Sequence, residues 1–175
     1  MKVVMIAVSS LNGKITKGND PNIYSWTSKE DSKLFFSLIE KSNLIVMGSK
    51  TYETVRKFIK HKKNRLRVVL TRNPQKYSKE TIKGLLEFSS ESPLSLIERL
   101  GRRGYKKMLL VGGATINSLF LKQKLVSEIY LTLEPILFGS GTNLIKENNF
   151  DKQLKLVSIK RLNDQGTLQL KYKIN

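Results

Sequence analysis

The chain contains no cysteine among its 175 residues. That absence excludes disulfides, thiolate metal ligation and a thiol nucleophile. A single histidine, His61, removes multi-histidine metal sites, and its lysine-rich surroundings resemble no catalytic triad. No serine-containing nucleophile elbow occurs, and neither the dinucleotide fingerprint nor the P-loop pattern is present. Long apolar runs are missing too, with nothing near the roughly 18 residues of a membrane span. The apolar start, Met1 to Val8, is too short for a signal-peptide core and runs straight into polar Ser9-Ser10 and Asn12-Gly13. It reads as a buried first strand, and a reducing cytoplasm is the expected compartment.

Acidic residues are scarce: 14 Asp and Glu stand against 32 Lys and Arg, for a net charge of +18. Three uses of that charge are open. Lysine dominates and is spread along the chain, as on a solvated surface. The densest cluster, Arg56, Lys57, Lys60, Lys62, Lys63, Arg65 and Arg67, carries only Phe58 as an interleaved aromatic. It matches no nucleic-acid stacking module, so no specific nucleic-acid partner is expected. A positive field would also attract anionic small molecules, such as a phosphate-bearing cofactor.

What is present is a regular alternation of apolar strands and amphipathic helices, of a length suiting one domain over residues 1–175. Val3–Val8, Leu44–Gly48, Leu66–Thr71, 85–88, Met108–Val111 and Ile129–Leu133 read as strands. Helices are predicted after Thr27 or Ser28, from about Thr51, from Pro93 to Leu100 and from Thr115 to Leu121. The end, Leu154–Leu162 and Thr167–Ile174 around Asp164-Gln165-Gly166, reads as a β-hairpin. The predicted class is α/β: a mostly parallel central sheet with helices on both faces and a C-terminal antiparallel hairpin. In such sheets ligands gather beyond the carboxyl ends of the strands.

Two strand ends there carry glycine: Met47-Gly48-Ser49-Lys50-Thr51 and Val111-Gly112-Gly113-Ala114-Thr115. Glycine lets a pyrophosphate approach the backbone, and free N–H groups at a helix start attract anions. Tight strand-to-helix packing explains the same glycines equally well. Asp31 is either a helix-start acid or a carboxylate on the apolar face of Leu34, Phe35 and Leu38, where it needs a donor-rich ligand. Trp26 is either core or a lid over a planar ligand. Lys50 and Arg72 follow different strands and are candidate phosphate holders, and Arg65 is a candidate carboxylate holder.

In their order and spacing these residues resemble the superfamily that contains dihydrofolate reductase and the reductase domain of riboflavin biosynthesis. Trp26, Asp31 five residues on, and Phe35 four further are similar to the substrate helix of dihydrofolate reductase. Val46-Met47-Gly48 with Thr51-Tyr52-Glu53 resembles its second-strand cofactor motif, and Ile129-Tyr130-Leu131-Thr132 the strand whose threonine bonds the active-site acid. Ser10-Leu11-Asn12-Gly13-Lys14-Ile15, Val111 to Thr115, and Glu134-Pro135 with Leu137-Phe138-Gly139-Ser140-Gly141 look instead like the riboflavin-pathway reductase.

The resemblance implies a dihydrofolate-reductase-like three-layer fold and NADPH as cofactor. It implies catalytic roles for Asp31 and Thr132. Substrate contacts fall on Val8, Trp26, Phe35, Val55 and Arg65, the last as the grip on a substrate carboxylate. Cofactor contacts fall on Ala7, Ile15, Gly48, Ser49, Lys50, Thr51, Thr71, Arg72, Val111, Gly112, Gly113, Ala114 and Thr115. Ser49 stands where an arginine commonly holds the NADPH 2′-phosphate, Asn117 replaces a tyrosine near the nicotinamide, and Ser25 precedes Trp26 where a proline is usual. The trio Asp31, Thr132 and Arg65 favours reduction of dihydrofolate to tetrahydrofolate. The alternative is NADPH-dependent reduction of a ribosylaminopyrimidine phosphate, with Lys14 or Lys17 toward its phosphate. A basic nucleic-acid-binding module is the remote alternative. A homodimer is a further expectation from the riboflavin-type frame.

Overall fold

Strand β1, Lys2–Ser10, is buried on both faces and lies at the centre of one eight-stranded sheet. The computed structural model describes residues 1–146 and 149–174. The other strands are β2 (Leu44–Gly48), β3 (Leu66–Leu70), β4 (Leu86–Ser89), β5 (Lys107–Leu110), β6 (Glu128–Glu134), β7 (Leu154–Arg161) and β8 (Leu168–Ile174). Their spatial order is β4-β3-β2-β5-β1-β6-β8-β7. Strands β1 to β6 pair in parallel, and the β7–β8 hairpin joins β6 antiparallel.

Helices α1 (Lys29–Glu40), α2 (Ser49–Val55), α3 (Pro93–Arg102) and α4 (Ala114–Lys122) cover the sheet. The period-2 alternation of the strands decides which helix meets which residue. One face carries Val3, Met5, Val46, Val68 and Leu110, packed with Leu96 and Leu100 of α3 and Phe120 of α4. The other carries Val4, Ile6, Ile45, Met47 and Val69, with Tyr52 of α2 and Phe35, Leu38 and Ile39 of α1. This is the three-layer α/β architecture read from the sequence.

The starts of the helices follow their caps. Ser28 accepts from the Asp31 N–H and opens α1, and Ser92 accepts from Ser95 ahead of Pro93 and opens α3. Helix α2 begins at Ser49, directly on the strand-ending glycine, two residues before the predicted start. A 3-10 segment at Pro74–Glu80 follows β3, where Asn73-Pro74 had indicated only a strand stop. Its Tyr77 is buried, stacked 4.8 Å from Phe88.

Candidate functional site

The carboxyl ends of β1 and β6 lie side by side. Val8 is in register with Thr132 and Ser10 with Glu134, so these four side chains share the face that α1 covers. The first turn of α1 brings Asp31 over them. Asp31 is 6% exposed and Thr132 3%. Burial pushes the Asp31 carboxyl up to about 6; a hydrogen bond from Thr132 opposes that rise, and the charge of Glu134 adds to it. Asp31 and Thr132, far apart in sequence, are therefore brought together as the resemblance implied.

Glu134 is the member that residue-by-residue reasoning left out of the site. It is buried, its Oε1 accepting from the Ser28 N–H and Oγ at 2.8 Å each, and its Oε2 from Thr167 Oγ at 2.7 Å. Thr167 directly precedes β8, and its hydroxyl accepts from Asn163 Nδ2 at 2.9 Å. The same amide group contacts Glu30 at 3.2 Å and draws the Glu30 carboxyl below its ordinary range. The hairpin thus closes one wall of the site. The available signal was Glu134-Pro135, an acid at the inner end of a buried strand.

Glu134 also lines an open cleft of about 400 Å³, with Trp26, Thr27, Ser28 and Thr167 among others; Asp31 and Thr132 do not line it. Trp26 packs edge-on against Phe138 at 5.2 Å. Trp26 Nε1 and Thr27 Oγ1 are enclosed without hydrogen-bond partners. Such groups are costly when left without a partner, and both residues line the cleft. Phe35 and Val55 are half-buried against the apolar layer below.

The two glycine motifs meet each other. The Gly48 N–H donates to the Gly112 carbonyl at 2.8 Å. A Cβ on Gly48 would lie 2.8 Å from Ile116 Cγ1, and one on Gly113 3.3 Å from Thr51 Oγ1. The packing explanation therefore holds at Gly48, whose missing side chain admits α4. Gly112, at φ +84°, and Gly113 leave the first turn of α4 without a side-chain cap. Thr51 and Thr115 stand beside these strand ends in the chain, and Lys50 and Arg72 are exposed just beyond β2 and β3. Val111 and Thr71 are half-buried just beyond β5 and β3, and Ala7 sits one residue before Val8 on β1. This donor set, with two cations and an uncapped helix start, fits a phosphate-bearing dinucleotide.

Two assignments change. Arg65 donates from Nε to the Ser42 carbonyl, from Nη1 to Glu40 Oε1 and from Nη2 to the Glu40 carbonyl, all within 3.1 Å. It closes the C-terminal end of α1, about nine residues and roughly 14 Å of helix from Asp31. Its fork is therefore engaged by α1 rather than open for a substrate carboxylate. The glycine loop at 139–141 also has a definite structural partner. Gly18 N donates to Ser140 O at 3.1 Å, Ile15 N to Thr142 O at 2.8 Å, and a Cβ on Gly141 (φ +140°) would lie 2.1 Å from the Thr16 carbonyl. The loop fastens the first loop of the chain, with Ile15 in it, across the site. Lys14 Nζ is held at 2.7 Å by Asn143, and Lys17 is exposed.

Residues 1–168 match the RibD C-terminal domain. Among curated proteins the chain is 25% identical over 176 residues to the uncharacterized protein YwjB of Bacillus subtilis (strain 168), covering 98% of this chain and 97% of that one. Among solved structures, a protein assigned to riboflavin biosynthesis from Shewanella sp. PV-4 superposes with TM-score 0.81 at 23% identity, covering 100% of this chain and 99% of that one. A pyrimidine reductase-like protein from Corynebacterium diphtheriae does so with TM-score 0.77 at 16% identity, covering 99% and 92%. These likenesses show the fold. The family match corrects the expectation of dihydrofolate reduction: the riboflavin-type features extend over the chain, and the arginine that favoured a folate tail is bound to Glu40 and Ser42. With 168 residues accounted for in this way, the chain belongs to the RibD C-terminal domain family.

Proposed function

We propose that this protein is an NADPH-dependent reductase that converts a ribosylaminopyrimidine phosphate to its ribityl form. The observation that carries the reading is the family match over residues 1–168, joined to a buried Asp31–Thr132–Glu134 group whose Glu134 lines an open cleft. RibD-type pyrimidine reductases use NADPH, and NADPH is the cofactor consistent with the family. The solved structure from Thermotoga maritima that shares this fold is named as a bifunctional deaminase and 5-amino-6-(5-phosphoribosylamino)uracil reductase; this chain spans 56% of it.

NADPH, when bound, supplies the hydride. The chain supplies position and proton control. Gly112 to Thr115 and Gly48 to Thr51 are the residues to hold the dinucleotide, with Lys50 and Arg72 toward its phosphates. Glu134, fixed by three donors, presents a negative charge to the N–H edge of a pyrimidine. Asp31, raised to about 6, is protonated in part near neutral pH and holds a proton for the sugar ring oxygen, which is released from the anomeric carbon as hydride adds there. Trp26 excludes water from the flat ring.

Purified protein with NADPH and the phosphorylated ribosylaminopyrimidine should lose absorbance at the reduced-nicotinamide band, in step with ribityl product. Dihydrofolate serves as the control that leaves the band unchanged. Loss of the band without a ribityl product, or no loss at all, refutes the reading.

A further inference from the structure

Arg67 takes no part in the site above, and among the described residues no hydrogen bond or ion pair of its side chain accounts for its charge. It is the second residue of β3, in register with Ile45 and Leu86. Both neighbours belong to the apolar layer under α1. Arg67 is only 6% exposed, and its Nη1 is enclosed with no hydrogen-bond acceptor. Among the described residues no carboxylate forms an ion pair with it. The nearest candidate, Glu40, already serves Arg65 at 3.1 Å and Lys62 at 2.6 Å. Burial and the like charge of Arg65 both push the Arg67 guanidinium downward, though an arginine stays charged. His61, exposed in the segment that leads into β3, is pushed down by burial and by the Arg67 charge, and so reports on the charge at Arg67.

A buried cation with no acceptor is among the most costly arrangements a fold can hold. Arg65 and Lys62 already share the Glu40 carboxylate here, and Arg67 makes no ion pair with it. The missing element is an anion with several acceptor oxygens, matched to a guanidinium fork. We propose that Arg67 forms a second anion seat that takes a phosphate group. The seat lies at the end of α1 marked by Glu40, away from Asp31. It is separate from Lys50 and Arg72, which follow the opposite ends of their strands. Two sources share this chemistry: free inorganic phosphate, and the phosphate of a sugar-phosphate ligand. The seat does not depend on the reduction proposed above, because its occupancy is read without cofactor or turnover.

The test uses the full chain. His61 is the only histidine, so its ring resonances give a single-site pH titration. Inorganic phosphate should raise the His61 midpoint, and chloride at equal ionic strength should not. The thermal midpoint should rise by roughly 4 °C at ten times the dissociation constant of phosphate. Arg67→Leu should abolish both responses and be the more stable form in phosphate-free buffer; Arg67→Lys, with a charge but no fork, should keep a weakened response. Should Arg67→Leu not fold, the wild-type and Arg67→Lys titrations still decide. A His61 midpoint equally insensitive to phosphate and chloride overturns the proposal. So does a phosphate response that survives in Arg67→Leu. Competition between inorganic phosphate and the phosphorylated pyrimidine in the turnover assay that disappears in Arg67→Leu assigns the seat to the substrate's own phosphate. A phosphate response without competition assigns it to free phosphate. Either result retains the seat.

Discussion

Replacing Asp31 by asparagine should make the protein more stable and less active at once. The Asp31 carboxyl is raised from 3.8 to about 6, first by burial. A raised acid favours folding while it is protonated, below pH 3.8, and that contribution disappears as pH climbs through about 6. At about 1.4 kcal/mol per pH unit, the folded state is disfavoured by about 3 kcal/mol at pH 8 relative to pH 3.5. An asparagine side chain has nearly the same shape and no charge, so it escapes that cost. Denaturant titrations of wild type and Asp31→Asn at the two pH values isolate the effect, because other groups cancel in the difference. The variant should gain about 3 kcal/mol relative to wild type on going from pH 3.5 to 8. Its turnover should fall by about 10²-fold or more, as removal of a positioned proton donor does. A stability difference that is flat with pH refutes the electrostatic argument, and full activity refutes the role of Asp31.

Glu134→Gln should remove the negative charge beside Asp31 and lower its pKa, moving the alkaline limb of the pH–rate profile, on which Asp31 loses its proton, to lower pH. It also sets an amide against the donors Ser28 and Thr167, which should cost about 1–3 kcal/mol in denaturant titration. Ser28→Ala removes both the cap of α1 and one donor to Glu134, and should lower stability by about 1–2 kcal/mol with a raised KM. Gly48→Ala should cost about 1–3 kcal/mol through the 2.8 Å approach to Ile116 Cγ1; in an Ile116→Ala background, which lacks that γ carbon, the same change should cost less in thermal melts. Gly141→Ala should free the first loop from its partner, seen as faster hydrogen exchange at the Ile15 and Gly18 amides while the core strands stay protected.

Much of the frame could be read directly. β2 runs from Leu44 to Gly48 as its apolar residues dictate, and Ser28 and Ser92 cap the helices their sequence signals opened. The pairing of Asp31 with Thr132 followed from the resemblance, since only a fold template joins residues so far apart. Glu134 was harder. Its role depends on Ser28 and Thr167, and pairing between β6 and the final hairpin is not written in local pattern. Arg65 misled for the same reason. Its partners are the closing carbonyls of α1, which have no sequence signature as acceptors. The glycines at 48 and 141 announced a need for space without saying what fills it; the answers are Ile116 and the Thr16 carbonyl.

The central claim is hydride transfer to a phosphorylated ribosylaminopyrimidine at the site around Asp31. NADPH carrying deuterium at the transferring position, incubated with the protein and that substrate, tests it most directly. The account predicts one deuterium in the ribityl product, at the former anomeric carbon, and loss of its formation in Asp31→Asn. An unlabelled product, or equal label incorporation by Asp31→Asn, would contradict it.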